Sequence, residues 1–272
     1  MKDSILPHLS PGCLILGSLA RGAVTLVCAD PTDWSLLVPA ILAELLGGGS
    51  LAGLAATTPT TMHILRQPSA DLIFGNIAMP ATTENFRVCI VGSKRDMWAE
   101  LESLSPMICT FKPKIVVMIL EDFTGRTQRG RPHINSYGAM GQLMLQLNRW
   151  AFANNVAVLL FHRALKLTTA TADPVVVSRR IAGSVAIAAG AASTLIFTHI
   201  RNGSGGSRYY RLDLVGHYDS PMKPMPLLLT PGQPMAFCSL DEVPPIRPGQ
   251  SPRRRRSRSP RGARIRRRDF HG

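Results

Sequence analysis

Three side chains able to work on a phosphate or on water stand where apolar runs end. Glu121 and Asp122 follow Lys114-Ile115-Val116-Val117-Met118-Ile119-Leu120, and His162 follows Val156-Ala157-Val158-Leu159-Leu160-Phe161, with Arg163 next and Lys166 shortly after. An acid closing a buried strand can hold Mg²⁺ or polarise an attacking water. Strand–acid junctions are also common in proteins that catalyse nothing, so any chemistry depends on what faces them. The five cysteines (Cys13, Cys28, Cys89, Cys109, Cys238) lack metal-like spacing, and three lie in or beside apolar runs. They read as reduced thiols in a cytosol-like compartment, and no metal site is expected.

A further polar cluster, Asp30, Thr32, Asp33, Trp34 and Ser35, lies between the strand-like run Gly22 to Cys28 and the helix-like run Trp34 to Leu46, which Gly47-Gly48-Gly49 closes. Strand, tight turn and helix in succession is the setting of a phosphate-binding loop, G-x-x-x-x-G-K-S/T. There, backbone N–H groups cradle phosphates, a lysine reaches the β/γ-phosphates and a hydroxyl binds Mg²⁺. Laid on Cys28 to Ser35, the pattern finds Cys28 and Asp33 for the glycines, Trp34 for the lysine, and Ser35 alone intact. Two carboxylates in the turn repel a triphosphate. The same residues also make an ordinary strand-turn-helix in which Asp30 or Asp33 caps the helix.

The strongest electrostatic feature is the end of the chain. Arg247 to Gly272 holds eleven arginines against Asp269, a net +10 that leaves only +4 of the total +14 for the rest. Arg253, Arg254, Arg255, Arg256, Arg258, Arg261, Arg264, Arg266, Arg267 and Arg268 fall in a segment with almost nothing apolar to pack, and disorder is expected there. Such a tail neutralises several phosphates, giving sequence-independent, salt-dependent binding that suits RNA or single-stranded DNA. A nuclear-localisation signal or a tether to an acidic protein would have the same composition. Ser251, Ser257 and Ser259 lie among the arginines, where phosphorylation would cut the positive charge.

The elements that must position these groups alternate in type. Met62 to Leu65, Asp71 to Phe74, Phe86 to Val91, Lys114 to Leu120, Val156 to Arg163, Thr194 to Arg201 and Arg208 to Val215 read as strands, and Leu14 to Gly17 as a short edge segment. Helical spacing runs over Lys94 to Leu104, stopped by Pro106, over Gly138 to Ala153, closed by Asn154-Asn155, and over Pro174 to Ala189, with Gly183-Ser184 inside it. His63, alone on an apolar run, reads as a core residue. Apolar strands alternating with helices imply an α/β fold, a mostly parallel central sheet with helices on both faces and ligands beyond the strands' carboxyl ends. Residues 1–240 are expected to form one domain, 241–272 a tail. Ile181 to Ile200 is uncharged and long enough to span a membrane, but its Ala, Gly and Ser content and β-branched end favour a helix followed by a strand. No signal peptide is read at Met1 to Ser10, so a cytoplasmic chain is expected, or a nuclear one in a eukaryote.

Taken in order, these segments resemble the RecA-fold NTPases, particularly the RepA-type hexameric replicative helicases, over about Leu16 to His217. The resemblance implies a RecA-like fold and ATP with Mg²⁺ as the family's cofactors. It places the Walker B acid on Glu121 or Asp122, the sensor region on His162, Arg163 and Lys166, and an Arg-Gly-Ser-like motif on Arg179, Arg180, Gly183 and Ser184. Since the family works as rings with sites between subunits, it also implies interface roles for Arg179, Arg180 or Arg201. Because the loop lacks its lysine and glycines, the expected protein is a degenerate NTPase that binds nucleic acid in replication or packaging, as an oligomeric ring. Two alternatives stay open: an active ATP-driven helicase or packaging motor with a rebuilt loop, and a non-enzymatic scaffold like the RecA-fold ring of the Elongator complex, whose subunits also lack an intact loop.

Overall fold

The computed structural model describes residues 19–46, 50–51, 54–55, 61–66, 69, 71, 86–91, 97–124, 133–165, 181–216, 224–231, 233 and 235–238. Its strands are β1 (Val24–Ala29), β2 (Ser50–Leu51), β3 (Leu54–Ala55), β4 (Thr61–Arg66), β5 (Phe86–Val91), β6 (Ile115–Ile119), β7 (Ala157–Arg163), β8 (Ser193–Asn202), β9 (Arg208–Gly216), β10 (Met225–Leu229) and β11 (Ala236–Phe237). Nine of them form one sheet in the order β11-β10-β9-β8-β1-β7-β6-β4-β5, with β2 and β3 a separate pair. From β5 across to β8 the strands are parallel, and β9, β10 and β11 extend the sheet by antiparallel pairing.

β1 is in the middle of this sheet, and its six residues are all buried. Period-two alternation then sends Val24, Leu26 and Cys28 into the apolar cluster on one face and Val27 and Ala29 into the cluster on the other. A strand covered on both sides favours apolar residues throughout, which is why β1, β6 and β7 read as hydrophobic runs; their buried polar side chains are bonded, Thr25 to Ser193 and His162 to Glu121.

Helices cover both faces, as expected. α1 (Trp34–Leu46) contributes Leu37, Val38, Ile41 and Leu42 to one cluster. α2 (Met97–Ser103), α3 (Ser105–Phe111), α5 (Tyr137–Ala153) and α6 (Val185–Ala189) contribute Leu101, Ile108, Met140, Leu143, Met144, Leu147 and Ile187 to the other. Between α3 and α5, α4 (Leu120–Phe123) is a single turn directly after β6. Asn154 caps α5 and Asn155 takes a left-handed φ of 52°, so the paired asparagines do end that helix.

Two boundaries differ from the sequence expectation. Pro106 does not stop helical structure; it opens α3, because proline lacks only an N–H that the first turn leaves unpaired anyway. Gly183 and Ser184 lie before a helix rather than inside one. Gly183 has a left-handed φ of +84°, and the Ser184 hydroxyl accepts from the Ala186 N–H as the N-cap of α6. Upstream, Ile181 bridges to Ala164, so the apolar run from Ile181 to Ile200 is divided among a bridge, a five-residue helix and β8. No helix among the described residues is long and apolar enough to cross a membrane. Asp71 is helical rather than extended, and the rest of that candidate strand, with Leu14 to Gly17 and the tail from Ser239, lies outside the described residues.

Candidate functional site

The carboxyl ends of β1, β6 and β7 meet at one edge, since Ala29 pairs in register with Arg163 and Ile119 with Phe161. Glu121 follows β6 in α4, and its Oε1 lies 2.9 Å from His162 Nδ1 on β7. The same oxygen accepts from the Arg163 backbone N–H at 3.2 Å and is 3.7 Å from Arg163 Nε. On the other side of the ring, His162 Nε2 faces the Ala182 carbonyl, which can only accept, so that nitrogen carries a proton. His162 is wholly buried. Clamped between a carboxylate and a carbonyl, the imidazole joins the ends of β6 and β7 to the segment leading into α6. It has no free nitrogen with which to act as a base.

Glu121 is different. Its Oε2 is buried without a hydrogen-bond partner, an acceptor whose capacity the fold leaves open. Asp122, beside it, is buried and accepts from the Ser69 hydroxyl. Below the pair, burial raises the Cys28 thiol well above its ordinary range and the Glu121 charge adds to the rise, so Cys28 stays neutral. Glu121 and Asp122 lie in the single turn at the carboxyl end of β6. Among the described residues no three His, Cys, Asp or Glu side chains gather as metal ligands.

The turn after β1 is closed on itself. Pro31–Asp33 forms a 3₁₀ turn in which Asp30 Oδ1 accepts from both the N–H and the hydroxyl of Thr32. The Asp33 N–H donates to the Asp30 carbonyl and the Trp34 N–H to that of Pro31. Three successive N–H groups that would have to point at a phosphate are therefore satisfied within the turn. Trp34, which occupies the lysine position, is 4% exposed and belongs to the core beneath α1. Ser35 is exposed on the first turn of that helix.

Asp33 is buried and forms an ion pair with Arg208 at the start of β9. Burial opposes the Arg208 charge, but Tyr210 and Asp33 together raise its pKa. Burial first, and the Asp33 charge second, push the Tyr210 phenol upward. Sequence reasoning missed Arg208 as a partner of the turn. The one available signal was a strand that begins with arginine where β8 and β9 must form a hairpin, and nothing in one dimension points that arginine at Asp33.

Arg201 does not meet the Glu121 group; it stands on β8 past a bulge, with its guanidinium 5.6 Å from the centre of the Tyr209 ring. Lys166, Arg179, Arg180 and the tail arginines Arg253 to Arg268 lie outside the described residues. Away from this edge, a groove of about 420 Å³ beside β5 is lined by Arg87, Pro106, Met107, Thr110 and Phe111. It touches none of the predicted residues. No protein-family model matches the chain, and no curated protein matches it.

Proposed function

We propose that this chain is a RecA-type body that has lost its hold on nucleoside triphosphate and serves as a nucleic-acid-binding protein. The tail supplies affinity and the folded part supplies geometry. The observation that carries this is the closed turn at the centre of the parallel sheet. Strand, turn and helix keep the order of a phosphate-binding loop, while Asp30, the Asp33–Arg208 pair and buried Trp34 fill the roles that phosphate would need. The strand order supports the RecA part of the reading. The strand assigned to the sensor, β7, lies between β1 and the strand bearing the Walker B-like acid, β6, so all three groups share one edge.

The binding part rests on charge. Eleven arginines in the last 26 residues release counterions on binding, and for a single strand the salt slope is about −0.7 per phosphate neutralised. The test is a salt titration of binding to single-stranded RNA and DNA, with the full chain and with residues 247–272 removed. The full chain binds both with a steep slope, and the truncated chain loses at least about tenfold in affinity and most of the slope. Equal affinity and slope for the two would overturn the reading.

A further inference from the structure

α5 carries an outward ridge whose large side chains stay exposed. Gly138, Leu145 and Phe152 recur at intervals of seven, so each stands about 20° off the one before after two turns. The ridge lies opposite the buried residues Met140, Met144, Leu147 and Ala151. Leu145 is 46% exposed, Phe152 78%, Tyr137 on the flank 67%, and Val185 at the start of the neighbouring α6 71%. Single exposed apolar residues need no explanation, but several large ones gathered on one helix mark a contact surface.

The ridge is arranged symmetrically in size. Leu145 stands midway between Gly138 and Phe152. A Cβ placed on Gly138 or Gly141 would meet nothing within 4 Å, so the first half of the helix is a notch and its last turn a protrusion. Gly22, at a φ of +74°, lies so close behind Phe152 that a Cβ added to it would come 3.2 Å from Phe152 Cα and Cδ2. The body thus seats the base of a ring whose outer surface is open.

We propose that α5 is a two-fold interface between two copies of this chain, the helices packed antiparallel about Leu145, with Phe152 of each copy in the Gly138/Gly141 notch of the other. A two-fold contact requires a surface complementary to itself, and only the antiparallel register centred on Leu145 sets bulk against absence of bulk. Charge agrees with it. Arg149 is the charged residue on the ridge, and this register places it opposite Gly141 of the second copy, with the two arginines about 12 Å apart along the axis. Parallel packing would set arginine against arginine and ring against ring. The four exposed side chains offer on the order of 400–500 Å² per copy, which brings two copies to the roughly 1,000 Å² that a specific interface needs. This contact needs neither the tail nor a ring, because it pairs copies two by two through the exposed side of one helix.

The test is sedimentation of the full chain over a concentration series, in salt high enough to strip nucleic acid from the tail. The wild type is expected to be a dimer. Leu145→Glu and Gly138→Trp, both on the open side of the helix, should each weaken it about a hundredfold with circular dichroism and melting unchanged. In a Cys109→Ser background, Leu145→Cys should form a disulfide-linked dimer on mild oxidation, since the axis brings this position to its own copy, and Arg149→Cys should not. A wild-type monomer at every concentration would leave the ridge to a different protein and overturn the proposal. So would a dimer that neither substitution weakens, or cross-linking at Arg149→Cys in place of Leu145→Cys.

Discussion

Asp33, in the turn after β1, and Arg208, at the start of β9, lie 175 residues apart and form an ion pair at the carboxyl end of β1. Arg208 neutralises the turn from within the chain, so the turn offers an external anion neither a free cation nor an open row of N–H groups. Fully buried pairs cost about 3–5 kcal/mol to break, but the Arg208 side chain keeps 34% of its surface in solvent, which screens the interaction. Asp33→Ala should therefore cost about 1–2 kcal/mol, with a coupling to Arg208→Ala in a double-mutant cycle by denaturant unfolding. Saturating Mg-ATP should not raise the melting temperature of the wild type, since a ligand that does not bind the native state cannot stabilise it.

Trp34 separates a packing role from a nucleotide-stacking one. Its Nε1 is buried without a hydrogen-bond partner, so Trp34→Phe removes an unsatisfied donor along with some volume and should stay within about 1 kcal/mol of wild type. Trp34→Ala leaves a cavity beneath α1 and should cost about 3–5 kcal/mol. Chemical denaturation measures both, and a large loss for Trp34→Phe would show that the indole does more than fill space.

At the Glu121–His162 pair, Glu121→Gln keeps a side-chain oxygen that can accept from Nδ1 and from the Arg163 N–H, and should change stability by less than about 1 kcal/mol. Glu121→Ala strands a buried imidazole and should cost about 1–3 kcal/mol. Phosphate release from ATP should remain at background for the wild type and both variants. A measurable wild-type rate abolished by Glu121→Gln would restore the hydrolytic alternative.

Alkaline pH should destabilise the fold. Burial raises Cys28, Cys89 and Tyr210 above their ordinary values of 9.0, 9.0 and 10.0, so the unfolded chain loses these protons first. Stability from these groups is whole below about pH 9 and is lost progressively as pH rises above it. Denaturation midpoints should be flat between about pH 7 and 8.5 and fall beyond, with a shallower fall in Tyr210→Phe.

Gly183 is required by geometry. At its φ of +84° an added Cβ would come 2.9 Å from the Ile134 carbonyl oxygen, so Gly183→Ala should cost at least about 1–3 kcal/mol. Because the same segment supplies the Ala182 carbonyl to His162, slowed hydrogen exchange around α6 in the wild type should be lost with it.

The central strands were legible in the sequence because burial on both faces favours a short apolar, β-branched run, while the longer apolar run of α1 carries helical length. Helix ends were less legible. Pro106 and Gly183-Ser184 act through their place relative to a first turn, and whether proline or glycine ends a helix or precedes one depends on where the neighbouring strand delivers the chain.

By itself the sequence determined that strands and helices alternate, that acids and a histidine close the apolar runs, that the turn after the first strand lacks lysine and glycines, and that the positive charge is concentrated at one end. Tertiary structure decided what those groups do to one another. Parallel register brought Glu121 to His162, and an antiparallel extension of the sheet delivered Arg208 to Asp33. Such partners, 41 and 175 residues apart, are chosen by strand order, and strand order is a property of the packed sheet rather than of any segment within it.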